Sequence, residues 1–153
     1  MNNTLALFDL DHTLIPADSD LCWTKFLIEK GVVEPENTRV NENFFTQYND
    51  GCLNIFEFLA FQLKPLSTLP KSKLTNLRKE FIEQSIIPII TANAKEVVDN
   101  HLTNGDLCAI VTATNEFITK PISDIFKIST LIATKLETNC LLYTSDAADD
   151  VRG

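Results

Sequence analysis

The stretch Leu5-Ala6-Leu7-Phe8-Asp9-Leu10-Asp11-His12-Thr13-Leu14 decides the fold. Four apolar residues in a row predict a short strand buried on both faces. The run stops at one aspartate, and a second follows two positions later. Desolvating a carboxylate is costly, so a strand seldom ends in one without a partner. In open α/β sheets, ligands gather at the carboxyl ends of the strands. The stretch therefore places two acids at the lip of a sheet, where they can meet a cation or an electrophile.

Two plainer uses of the same residues compete with that one. Asp9, Asp11 and Thr13 have the spacing of a calcium loop, but such a loop wants Gly at its sixth position and Glu at its twelfth. Here those positions hold Leu14 and Asp20. The other is an acidic turn after a strand, with no further role.

Downstream of the stretch, Ile15 to Asp20 is rich in turn residues, and Ser19 or Asp18 can cap a helix there. That helix carries Cys22, Trp23, Phe26 and Leu27 on one face and ends at Gly31. A second helix runs through Phe44, Phe45 and Tyr48 to Gly51, and a third from Ile55 to Leu63, stopped by Pro65. A fourth starts after Pro70 and carries Leu74, Leu77, Phe81 and Ile82. The aromatic residues of this region fit a packed helical core better than a substrate cage. Asp18 and Asp20 lie where they could face a substrate, although capping explains them as well. Ile86-Ile87-Pro88 leads back toward the strands, and a helix from Ala92 to Leu102 turns Ala94, Val97, Val98 and Leu102 inward. His101 stands alone on it and reads as structural.

Leu107-Cys108-Ala109-Ile110-Val111-Thr112 then repeats the opening pattern: a buried strand ending in a polar residue, followed by Ala113-Thr114-Asn115 and a helix near Phe117 to Phe126. A hydroxyl at such a place can donate to a phosphoryl oxygen, and the amides opening the next helix add donors of the right polarity.

Together, Phe8-Asp9-Leu10-Asp11-His12-Thr13-Leu14, Ile110-Val111-Thr112-Ala113-Thr114-Asn115 with Pro121 beyond, and Leu131-Ile132-Ala133-Thr134 resemble the haloacid dehalogenase-like (HAD) superfamily. The similarity is to its subfamily IB, of phosphoserine-phosphatase-like or histidinol-phosphatase-like type, and runs from Thr4 to about Thr138. The resemblance implies an α/β fold: a Rossmann-like parallel sheet, here truncated, with an all-helical cap inserted after the first strand. It divides the chain into a core at 1–15 and 87–139, a cap at 16–86 and a tail at 140–153. It makes Asp9 the nucleophile and Asp11 the general acid/base, with Thr112, Thr13 and Ala113 as phosphate contacts. Mg²⁺ would be the cofactor, with Asp9 and Asp11 as ligands.

The implied activity is hydrolysis of a small phosphorylated metabolite through an aspartyl-phosphate. Transfer to another hydroxyl, or a non-catalytic phosphate-binding or interaction role, are the alternatives. The family also needs a lysine and a later acidic pair; Lys120 and Lys135 lack the context for the first, so no role passes to them. Cys140 to Asp149 is similar to the translation of a transposase adapter used in sequencing libraries. The tail is therefore expected to be a read-through scar on a truncated gene, and the chain, lacking the lysine and the acidic pair, is expected to be inactive. Leu141-Leu142-Tyr143 within it could add a strand at an open sheet edge.

Composition bounds the partners. The chain has 153 residues, 44% of them hydrophobic, and a formal net charge of −8. An acidic chain argues against nucleic acid, which wants a basic face. No apolar run approaches the length of a membrane span. The start of the chain lacks the basic residues of a secretion signal, and the four cysteines show no metal or redox spacing. The expected setting is the cytoplasm.

Overall fold

The computed structural model describes residues 4–139 together with 142 and 143. These divide into two compact units, one within Met1–Ser19 and Lys79–Lys135, the other within Asp20–Arg78 and Leu136–Gly153.

The first unit is built on three parallel strands, β1 (Leu5–Phe8), β2 (Leu107–Asn115) and β3 (Thr130–Thr134), lying side by side in that order. Leu5 pairs with Leu107 and Phe8 with Ile110; Ala109 pairs with Thr130. Helix α5 (Ala92–Thr103) precedes β2, and α6 (Glu116–Ile125) connects β2 to β3. Thr91 caps α5 by accepting from the Ala94 amide, and Asn115 caps α6 by accepting from Ile118. Parallel crossovers are right-handed, and these strands are laid down in sequence order without a reversal. Both helices therefore fall on one face of the sheet.

The burial pattern agrees. Ala6, Cys108 and Ile110, which share a face, are at most 9% exposed, and Val98 of α5 and Phe117, Ile118 and Ile122 of α6 are buried with them. On the opposite face Leu5, Leu7, Leu107, Val111 and Ile132 are 42% to 61% exposed. The expectation of strands buried on both faces is corrected here: apolar runs occupy both faces, but among the described residues only one face has helices over it. Val97 of α5, expected inward, is also exposed.

Strand β2 is longer than expected. It does not end at Thr112 but continues to Asn115, with an irregularity in its pairing to β3 between Val111 and Asn115. Such a bulge bends the strand and re-aims its side chains. Ile86-Ile87-Pro88 is helical too: a wide turn of π-helix over Ile82–Ile86 is followed by a 3₁₀ turn over Ile87–Ile89.

The second unit contains most of α1 (Ser19–Glu29), α2 (Glu36–Asn49), α3 (Ile55–Thr68) and most of α4 (Lys71–Phe81). Asn54 caps α3 through the Phe56 and Glu57 amides. Pro65 lies inside α3 and does not stop it. A proline near the last turn removes one amide bond, while Leu66 beyond it is buried and the Leu69 amide returns to the Pro65 carbonyl. The aromatics pack on one another: Trp23 stacks on Phe26 at 5.9 Å between ring centroids, and Phe44 meets Phe58 and Phe61 at 5.5 and 5.4 Å. A buried amide pair, Gln62 donating to Asn41 at 3.0 Å, ties α3 to α2.

Two short strands, β4 (Thr138–Asn139) and β5 (Leu142–Tyr143), pair antiparallel. The strand foreseen at 141–143 thus pairs with its sequence neighbour, not with an edge of the parallel sheet, because a local closure costs the least entropy. The rest of the expected scar lies outside the described residues. Among the described residues no helix is long and apolar enough to cross a membrane.

Candidate active site

β1 ends at Phe8, so Asp9 is the first residue past the carboxyl end of the strand. Because β1 and β2 are parallel and Phe8 is level with Ile110, Asp9 and Thr112 lie toward the same, carboxyl, end of the two strands. The chain then closes a tight loop. The Leu10 carbonyl accepts from the amides of Thr13, Leu14 and Ile15 at 3.0–3.2 Å, and the His12 amide donates to the Ala17 carbonyl at 3.1 Å. Leu10, Leu14 and Ile15 are buried and peg the loop down. His12 takes the left-handed conformation, φ 58°, which costs a residue with a Cβ about 1–2 kcal/mol. The buried pegs on either side hold it there.

The two carboxylates differ in surroundings. Asp9 is exposed. Its Oδ1 accepts from the Leu10 amide at 2.8 Å, and the Thr13 hydroxyl stands 3.5 Å from Oδ2, at the outer limit of a hydrogen bond. Asp11 is half-buried and both its oxygens are engaged. Oδ1 accepts from the Ser19 amide at 2.7 Å, and Oδ2 from the Thr114 hydroxyl at 2.8 Å. Ser19 is thus not a cap. It is the first residue of α1, and Asp11, eight residues upstream, accepts from its amide.

Thr112 sits in the irregular part of β2. Its Oγ1 accepts from the Thr114 amide at 3.1 Å, so its proton remains available to donate. The Ala113 carbonyl accepts from the Thr134 hydroxyl at 2.7 Å, which ties the bulge to β3. Thr114 is the residue the sequence left without a role. Nothing local points to it, since the pair it forms with Asp11 spans 103 positions.

The remaining candidates fall elsewhere. Lys120 pairs with Asp124 on α6 at 3.0 Å. His101 pairs through Nδ1 with the buried Asp106 at 2.7 Å, joining the end of α5 to the start of β2. A cleft of about 270 Å³ in the second unit, between Val32, Glu34, Asn37, Phe61, Lys64 and Thr68, contains neither aspartate.

Hard carboxylate oxygens suit a magnesium ion, which keeps several waters and takes one or two carboxylates. Each oxygen of Asp9 and of Asp11 accepts one hydrogen bond and keeps a further lone pair for a cation, Asp9 being the more exposed of the two. Among the described residues no three His, Cys, Asp or Glu side chains cluster to hold a metal, and no lysine or arginine pairs with Asp9. The donors present are of the right kind and too few for a fixed site.

Known proteins resemble this chain. The chain is 43% identical over 135 residues to a histidinol-phosphatase of Neisseria meningitidis serogroup C (strain 8013), covering 88% of this chain and 61% of that protein. A structure from Bordetella pertussis Tohama I, described as a protein with unknown function, superposes with a TM-score of 0.87 at 41% identity, over 95% of this chain and 66% of its own. A phospho-aspartyl intermediate analogue of phosphoserine phosphatase shares the fold, with a TM-score of 0.63 at 20% identity over 95% of this chain and 63% of its own. The chain thus spans less than two thirds of the length of each. The profile of the haloacid dehalogenase-like hydrolases matches residues 6–152, and with the parallel sheet and the paired aspartates at its edge it follows that the chain belongs to that family.

Proposed function

We propose that the chain carries the nucleophile end of a magnesium-dependent phosphomonoesterase for a small phosphorylated metabolite, of the histidinol phosphate or phosphoserine kind. The observation that carries this is the pairing at one sheet edge of an open carboxylate, Asp9, with a fixed one, Asp11, beside a hydroxyl free to donate, Thr112. An Asp9 oxygen attacks phosphorus, and the bond from phosphorus to the ester oxygen breaks. Asp11 gives its proton to the departing oxygen, then takes one from the water that cleaves the aspartyl-phosphate. Thr112, Thr13 and the amide of Ala113 hold the phosphoryl oxygens. Magnesium, held through Asp9 and Asp11, would offset the charge of the substrate.

The helical insertion, 16–86, is proposed as the cap that selects the substrate. A cytoplasmic setting fits the free thiols of Cys22, Cys52 and Cys108.

We further propose that the 153 residues alone turn over little, because among those described nothing cationic balances Asp9 and too few ligands stand ready for the metal. The same observation favours a second reading, phosphate binding without chemistry; transfer of the phosphoryl group to another hydroxyl is a third. Phosphate release from histidinol phosphate, phosphoserine and p-nitrophenyl phosphate separates them. It should be measured for this chain and for a form extended to the length of its relatives, with magnesium and with chelator. Only the extended form should be active, only with magnesium, and Asp9→Asn should remove nearly all its turnover while the fold persists. Robust turnover by the short chain would overturn the claim of an incomplete site. Near-normal turnover in Asp9→Asn would place the nucleophile elsewhere.

A further inference from the structure

We propose that Thr114 is a positioning residue that fixes both groups on which the phosphatase reading rests. Its hydroxyl donates to Asp11 Oδ2 at 2.8 Å, and its amide donates to Thr112 Oγ1 at 3.1 Å. One residue thus touches the proposed acid/base and the proposed phosphate anchor from opposite ends of its own structure.

The consequences differ for the two partners. Asp11 is held between two donors, the Ser19 amide on one oxygen and the Thr114 hydroxyl on the other. With both in place its carboxylate has one orientation; with the hydroxyl removed, a single amide remains and the χ angles are free to turn. Thr112 Oγ1 accepts from the Thr114 amide, which holds the oxygen in place and leaves its O–H free to donate to an incoming acceptor. The bulge makes this possible. In a regular strand successive side chains alternate between faces, whereas the irregular pairing between Val111 and Asn115 lets the 112–114 segment bend back on itself. Thr114 is buried, so its bond to Asp11 is shielded from competing water. A hydroxyl is also the right partner for a group that must change protonation state. It donates to the carboxylate and can accept from the carboxylic acid, so Asp11 keeps a partner through the cycle.

The Ser19 amide reports on the position of Asp11 without any need for turnover. Hydrogen exchange by NMR on the 153-residue chain should compare Thr114→Val, which keeps the shape and loses the hydroxyl, with Thr114→Ser, which keeps the hydroxyl. Exchange of the Ser19 amide should speed up about tenfold in Thr114→Val, the loss of one bond to a charged group, and return to within about twofold of wild type in Thr114→Ser. The Ile110 amide, deep in β2, should not change. An unchanged Ser19 amide in Thr114→Val, a Thr114→Ser variant as fast as Thr114→Val, or an equal acceleration at Ile110 would each overturn the proposal, the last by making Thr114 a general structural residue.

In the extended form, Thr114→Val should lower kcat about tenfold for an alkyl phosphate and less for p-nitrophenyl phosphate, whose leaving group needs little protonation, with KM nearly unchanged. If every form lacks turnover while the Ser19 result holds, the phosphatase reading fails and the positioning role stands. If the enzyme is active and Thr114→Val matches wild type on both substrates, the positioning role fails alone.

Discussion

The two faces of the parallel sheet have nearly the same composition and opposite surroundings. Ala6, Cys108 and Ile110 look toward the face that bears α5 and α6 and are almost wholly buried, while Leu5, Leu7, Leu107, Val111 and Ile132 look the other way and stand open. Both sets are apolar, so hydrophobicity alone does not say which face is covered. Strand order does. Three strands laid down in one direction, joined by right-handed crossovers, put α5 and α6 on one side.

That comparison can be broken by mutation. The largest effect is expected at Ile110, which is fully buried in the central strand. Ile110→Ala should lower the unfolding free energy by about 2–5 kcal/mol, seen as a lower urea midpoint with an unchanged slope. A loss under about 1 kcal/mol would show that the helices do not seal that face as described.

Next comes the cap of the covering helix. Asn115→Ala removes the acceptor for the Ile118 amide and should cost about 1 kcal/mol, read from the same denaturation curves. A smaller change is expected on the bare face. Leu7→Asn should alter stability by no more than about 0.5 kcal/mol, read from the same denaturation curves. A cost similar to that at Ile110 would mean the face is covered in solution.

The smallest effect concerns Cys108, on the covered face. Burial, and then the nearby Asp106 carboxylate, push its thiol above the usual range. A raised value in the folded state means the folded chain holds the proton longer than the unfolded chain. The associated stability is therefore present below the ordinary thiol range, about pH 8.5, and is lost as pH rises through the folded value. Cys108→Ala should lack that alkaline loss in a stability-against-pH series. In the native chain iodoacetamide should label the exposed Cys52 well before Cys108; equal rates would contradict the burial.

Much of this was legible in the sequence. The run Leu5 to Phe8 closing on Asp9 named the first strand and the acid at its end, and Leu107 to Thr112 named its neighbour, because apolar runs cut off by polar residues follow from burial itself. The helices between them were legible from their 3.6-residue spacing, apart from the end of α3, where buried packing past Pro65 outweighed the breaker. Asp9, Asp11 and Thr112 stood out by residue type and position, and the family resemblance supplied their roles.

Other features were decided only by the tertiary structure. The bare face depends on strand order, which no local pattern encodes. The extension of β2 to Asn115 depends on pairing with β3. The bond from Thr114 to Asp11 joins positions 103 apart that meet only once parallel strands bring their ends together, and the Ser19 amide reaches Asp11 only when the loop between them closes. Residue chemistry along the chain fixes which groups are available; the closing of distant segments against each other fixes which of them touch, and a hydrogen bond exists only between groups that touch.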